Sequence, residues 1–113
     1  MRKVRILAAC ALGASISFFT DKMIKAAGKY DLALEFDTYS VDEAHTLPLE
    51  GYDIILVAPQ VLWHADRLKE HAGNTPVEKI DGRMYALMDG DKAIQVLILP
   101  HVKPEETQQD DTR

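Results

Sequence analysis

Residues 4–9 (Val4-Arg5-Ile6-Leu7-Ala8-Ala9) are almost wholly apolar, the pattern of a short strand covered on both faces. The next residues carry Gly13 and small polar side chains, which mark a turn and a helix start. From Ser17 the spacing changes: Phe19, Met23, Ala26, Ala27 and Tyr30 recur at three and four, with Lys22, Lys25 and Lys29 mainly elsewhere and Gly28 as a terminator. Residues 32–37 alternate and predict a second strand. Ser40 with Glu43 three positions later forms a capping box for a short helix before Pro48. Residues 53–58 (Asp53-Ile54-Ile55-Leu56-Val57-Ala58) are the clearest buried strand, stopped by Pro59. A helix carrying Leu62, Ala65, Leu68 and Ala72 on one face follows and closes at Gly73-Asn74. Residues 76–80 give a weaker strand, and Asp81 caps one short turn through Tyr85. Asp89-Gly90-Asp91 then opens a last helix with the stripe Ala93, Ile94, Leu97 and Ile98, ending near Pro100.

Strand and helix thus alternate four times, which predicts an α/β fold with a parallel sheet and helices on both faces. In such sheets, sites lie beyond the carboxyl ends of the strands. Cys10 sits at one such end, and so do Asp37, Tyr39 and the Pro59-Gln60 pair. A chain of 113 residues suits a single domain. We place that domain at residues 1–100 and read 101–113, where Val102 is the only apolar residue, as a flexible tail.

Composition narrows the function. Hydrophobic residues make up 47% and charged residues 27%, ordinary values for a globular domain. A net charge of −5 with scattered basic residues argues against nucleic acid as a partner. One cysteine forms no internal disulfide, which points to a reducing, cytoplasmic setting. Arg2, Lys3 and Arg5 ahead of an apolar run resemble an export signal, and Leu7-Ala8-Ala9-Cys10 resembles a lipidation box. Spacing argues against both: only Ile6 to Ala9 separate the last basic residue from Cys10, where an export signal needs roughly 7–15 apolar residues. A spanning helix needs about 20 apolar residues, and the run here is broken by Gly13, Ser15 and Ser17. We therefore expect no direct membrane insertion.

The chemistry centres on Cys10. A thiol between a strand end and a helix N-terminus meets backbone N–H groups without intrahelical partners and the positive end of the helix dipole. Both favour the thiolate, and the same N–H groups cradle a phosphoryl group. Gly13 lets the backbone curl closely, while Ser15 and Ser17 add hydroxyl donors. Two readings of Cys10 fit this spacing equally: a transient phosphocysteine, whose sulfur must lie open to water, and a small buried hydrophobe. Other phosphate chemistries fail at particular atoms. A low-molecular-weight tyrosine phosphatase needs an arginine where Ile16 stands, and a receiver domain needs acidic residues where Ala8-Ala9 and Ala58-Pro59 stand.

Taken in order, these residues resemble the IIB component of the lactose/cellobiose class of the bacterial sugar phosphotransferase system. The resemblance covers about residues 3–99. It rests on the first strand into Cys10, the Gly13, Ser15 and Ser17 spacing, Lys22-Met23, Val57-Ala58-Pro59-Gln60, Pro76-Val77-Glu78-Lys79-Ile80-Asp81, Tyr85 and Asp89-Gly90. It implies a three-layer α/β/α fold, flavodoxin-like or phosphatase-like, with a four-stranded parallel sheet in the order 2-1-3-4. It also implies that Cys10 takes a phosphoryl group from a phosphohistidine of a IIA partner. The group then passes to a sugar (cellobiose, lactose, chitobiose or a related β-glucoside) held by the membrane transporter IIC. The phosphate-binding backbone would be Ala11, Leu12, Gly13, Ala14, Ser15, Ile16 and Ser17, with Gln60 and Tyr85 beside it. Neither a metal nor an organic cofactor is implied; the subunit would be a cytoplasmic monomer, transiently at the inner face of the membrane.

This chain departs from the family at Ala11, where a polar residue is common, and at Ile16, where Thr is frequent; the loop then has fewer side-chain donors. An alternative is accordingly a non-catalytic regulatory or anion-binding domain with a degenerate phosphocysteine loop. A thiol-redox sensor is weakened by the absence of a second cysteine. The four histidines, His45, His64, His71 and His101, share no ligand spacing and read as exposed polar residues. His64 could approach the Cys10 loop, whereas helix capping fits Gln60 better. Packing fits Tyr85, and Trp63 is either core or a partner-facing anchor. Phe18 and Phe19 should divide, one buried and one at the surface.

Overall fold

The computed structural model describes residues 1–11 and 16–102. The elements are β1 (Arg2–Cys10), α1 (Ile16–Ala27), β2 (Leu32–Ser40), α2 (Val41–Ala44), β3 (Ile54–Val57), α3 (Ala65–Ala72), β4 (Val77–Lys79), α4 (Gly82–Ala86) and α5 (Gly90–Ala93). Short 3-10 segments cover Gly28–Tyr30 and Pro59–His64, and Ile94–Ile98 form a π turn. The four strands are parallel in the order β2-β1-β3-β4, as the resemblance implied. β1 is therefore central, flanked by β2 over its whole length and by β3 from Ile6 to Ala9.

Burial explains why these segments are strands. Val4, Ile6, Leu7, Ala8 and Ala9 of β1 and all of β3 are fully covered, because helices lie on both faces of the sheet centre. α1 packs against α5, α3 against β4, and α2 against β1 and β2. Right-handed crossovers put the first pair on one face and α2 with α3 on the other. Side-chain alternation then assigns the faces of β1. Arg5 reaches the loop after α2, where its Nη1 donates to the Gly51 carbonyl at 3.1 Å and its guanidinium lies 4.8 Å over the Tyr52 ring. Val4, Ile6, Ala8 and Cys10 consequently point to the opposite face, that of α1.

The predicted caps are present. Ser40 accepts from the Glu43 N–H at 3.2 Å while Glu43 accepts from the Ser40 N–H at 3.0 Å. Asp81 accepts from the N–H groups of Arg83 and Met84, and Asp89 from that of Lys92. Three expectations need amendment. Gly28 does follow the last residue of α1, but it opens a 3-10 turn, and the left-handed conformation that closes the segment falls to Asp31, with φ of 58°. The helix expected straight after Pro59 is broken at Val61, whose φ of −129° lets its side chain enter the core before α3 begins. The last helix widens after Ala93, so the Leu99 N–H reaches the Ile94 carbonyl. The Ile98 carbonyl then accepts from His101 and Val102, and Val102 is buried. His101 pairs with Glu78 of β4. The first two residues assigned to a tail are thus part of the packed domain; residues 103–113 lie outside the described residues.

Candidate functional site

Cys10 ends the central strand at the carboxyl edge of the sheet, in register with Ser40 of β2. One residue earlier, the Ala9 carbonyl accepts from the Ala58 N–H at 2.9 Å, tying the neighbouring strand ends together. Three backbones therefore hold this position, and that rigidity follows from β1 being flanked on both sides. α1 begins six positions beyond Cys10 with no acidic side chain in its first turn, so the positive end of its dipole is not offset locally.

The sulfur itself is covered. Cys10 is 3% exposed, and its thiol lies 3.8 Å from the Tyr39 carbonyl as a weak donor. A catalytic reading of the sequence called for a thiol open to water, so this is a correction. Strand pairing brings a β2 carbonyl beside the side chain of the last β1 residue.

Of the loop residues, Ala11 is exposed, Ile16 is fully buried in the first turn of α1, and Ser17 is exposed. Leu12, Gly13, Ala14 and Ser15 lie outside the described residues. Phe19 and Phe18 divide as expected, at 0% and 68% exposure. Phe19 packs on Tyr85 with ring centroids 5.3 Å apart, so Tyr85 stands against the first helix after Cys10. Gln60 is exposed in the segment after β3, and neither that segment nor α3 has a side-chain cap. Trp63 is at the surface, 74% exposed, which resolves its placement. Leu87, just after α4, is also exposed. Phe18, Trp63 and Leu87 all belong to segments that follow the carboxyl ends of strands.

A groove of about 500 Å³ bordered by Tyr52, Asp53, Thr75 and Pro76 lies at the opposite edge, where β3 and β4 begin. Beside it Tyr52 donates to Asp37 at 2.6 Å. Burial, then that bond and the Asp37 charge, push the Tyr52 phenol up to about 12.

Sequence spacing missed one grouping. The His45 ring lies 5.9 Å from that of His64 and 6.4 Å from that of His71, where α2 meets α3. His64 and His71 stand seven positions apart, two helical turns, whereas His45 arrives from a different element and no spacing announces it. Two of these rings are partly buried, contrary to the expectation of exposed histidines. Among the described residues, no group of three His, Cys, Asp or Glu side chains is placed to hold a metal ion. Among the same residues, no helix is long and apolar enough to cross a membrane.

Fold and site define a class: a small parallel α/β domain whose single cysteine ends the central strand just ahead of a helix. Residues 5–96 match the family described as PTS system, lactose/cellobiose specific IIB subunit, and the chain belongs to that family. Its fold is similar to the lactose-specific IIB component domain of the phosphoenolpyruvate:carbohydrate phosphotransferase system from Streptococcus pneumoniae. That match has a TM-score of 0.71 and 19% identity, and covers 90% of this chain and 100% of the other. It is also similar to the cellobiose-specific phosphotransferase IIB component protein from Borrelia burgdorferi. There the TM-score is 0.67 with 25% identity, over 88% of this chain and 92% of that one.

Proposed function

We propose that Cys10 is a phosphoryl carrier between a IIA protein and a sugar of the lactose or cellobiose type bound by a IIC transporter. The observation that carries this reading is the position of Cys10, inside the family match, at the end of the central strand and ahead of a helix free of acidic residues in its first turn. In the first step the Cys10 sulfur bonds to phosphorus as the N–P bond of the IIA phosphohistidine breaks; the imidazole nitrogen keeps that electron pair and takes up the thiol proton. In the second, a sugar hydroxyl bonds to phosphorus as the S–P bond breaks. Sulfur then leaves as thiolate, and the hydroxyl proton passes to a base.

Backbone N–H groups of residues 11–17 are the proposed ligands of the phosphoryl oxygens, an arrangement independent of side-chain identity. Ala11 and Ile16 supply no side-chain donor, so binding is weaker than in a loop with polar residues there. One charge-assisted hydrogen bond is worth roughly 1.5–3 kcal/mol. With Ile16 where a phosphatase clamps the phosphoryl group by arginine, the site suits transfer to an alcohol rather than rapid hydrolysis. Because the sulfur is covered and hydrogen bonded to Tyr39, the reading includes a turn of the Cys10 side chain away from that carbonyl. Phe18, Trp63 and Leu87 offer exposed apolar contacts for docking partners at this edge.

Mass spectrometry tests the proposal. After incubation with phosphoenolpyruvate, the two general phosphotransferase proteins and a matching IIA, the chain should gain one phosphoryl group on sulfur. Cys10→Ser should lack that thiol-linked group. A chain that remains unmodified while the same mixture phosphorylates another IIB protein supports instead the anion-binding alternative, which Ala11 and Ile16 favour.

A further inference from the structure

We propose that His45, His64 and His71 form a proton-sensitive clasp that holds the segment after β2 against the segment after β3 and releases it in acid. His45 ends α2, His64 ends the 3-10 segment after β3, and His71 lies on α3. The rings are tilted against one another, His45 on His64 by 55° and on His71 by 48°. Nε2 of His45 and Nδ1 of His64 are buried without a hydrogen-bond partner among the described residues. His71 Nε2 is 2.8 Å from the Leu47 carbonyl, in the loop that continues from α2.

A neutral imidazole has one N–H and one lone pair, so one ring nitrogen can tolerate an empty environment as a lone pair. An imidazolium needs an acceptor at both nitrogens. Proton uptake by His45 or His64 therefore places an N–H and a charge where nothing accepts them. The surroundings oppose the charge further. Arg67, His64 and His71 face His45 from the α3 side, and Asp42 on α2 opposes them.

Burial first, then the Arg67 cation and the two histidines, lower the His45 pKa below its ordinary 6.5, and Asp42 offsets part of this. With the folded value depressed, the unfolded chain binds the proton more readily. The clasp's contribution is thus complete above pH 6.5 and is lost as pH falls through the folded value.

The clasp reaches the edge that holds Cys10. α2 starts from Ser40, the residue paired with Cys10 and next to the Tyr39 carbonyl that takes its thiol. The other arm starts beyond Ala58, whose N–H is bonded to Ala9. Release in acid loosens two segments that leave the sheet edge beside Cys10, whether or not it carries a phosphoryl group.

Trp63 reports on the cluster, since it is the chain's one tryptophan and its ring lies 5.5 Å from that of His64. In a fluorescence titration of the full chain from about pH 8 to about pH 5, emission should change in one step below the ordinary histidine value. His45→Gln should abolish or displace that step, and His101→Gln should leave it in place. A step with the same midpoint in His45→Gln would mean that the step does not report on His45, and the clasp would be refuted. Ring-proton NMR of the unaltered chain needs no variant to fold. It should show His45 titrating below 6.5; titration at or above that value overturns the proposal. Amide exchange across Val41–Ala44 should quicken severalfold in acid after correction for intrinsic rates, and unchanged protection there would equally overturn it.

Discussion

Replacing Gly90 with alanine tests the packing of the two helices that cover the Cys10 face of the sheet. Gly90 opens α5, is buried, and meets the backbone of α1 so closely that an added Cβ would lie 2.5 Å from the carbonyl carbon and oxygen of Lys22 and 2.7 Å from the nitrogen of Met23. Carbon atoms rest about 3.5–4.0 Å apart, so the overlap is about 1 Å, and it falls on backbone that has no rotamer with which to yield. The helices must separate or α5 must shift, at a cost of about 1–3 kcal/mol for an overpacked site. Alanine recovers part of this, about 0.4–1 kcal/mol, by restricting the unfolded chain. We expect a net loss of about 1–2 kcal/mol. In urea, with a slope of about 1–3 kcal/mol per molar, the unfolding midpoint should fall by roughly 0.5–1 M at unchanged slope. Gly28→Ala is the matched comparison, because nothing lies within 4 Å of its added Cβ; its midpoint should stay level or rise slightly. A Gly90→Ala midpoint equal to or above that of the parent chain would refute the close approach of α1 and α5.

Two further outcomes follow from local geometry. Ser40→Ala removes the hydroxyl that accepts from Glu43 and should cost about 1 kcal/mol in a denaturation experiment, whereas Ser40→Gly should cost only a few tenths; equal costs would show that the cap is not what holds α2. Tyr52 keeps its proton to about 12 in the fold against 10.0 when unperturbed, so its contribution to stability is complete below pH 10 and lost as pH rises through the folded value. Phenolate absorbance of the folded chain should show one of the four tyrosines ionising late, and Tyr52→Phe should remove that component rather than an ordinary one.

The position of Cys10 and its burial have different origins. Its position is local: an apolar strand stops, small residues follow, and a helical period begins. Its covered setting is tertiary: the thiol donates to the carbonyl of residue 39, distant in the chain, which has no side-chain signature at all. A sequence pattern therefore locates the thiol yet says nothing of the hydrogen bond that occupies it. The same division separates Phe18 from Phe19. Helical period predicts that adjacent residues face different ways and aligns Phe19 with Met23 and Ala27; the structure adds the Tyr85 ring against which Phe19 packs.

What the sequence alone determined is the succession of strands and helices, their caps at Ser40, Asp81 and Asp89, and the placing of a lone cysteine at a strand end. Each depends on side-chain period or on hydrogen bonds spanning a few residues, and such interactions are written consecutively along the chain. The strand order was legible through family resemblance, since periodicity by itself leaves several orders open. Tertiary structure alone decided the covering of the Cys10 sulfur, the meeting of His45 with His64 and His71, the contact of Gly90 with α1 and the burial of Val102. These join residues far apart in sequence, and their energies depend on distances that exist only once the sheet has assembled and its helices have closed over it.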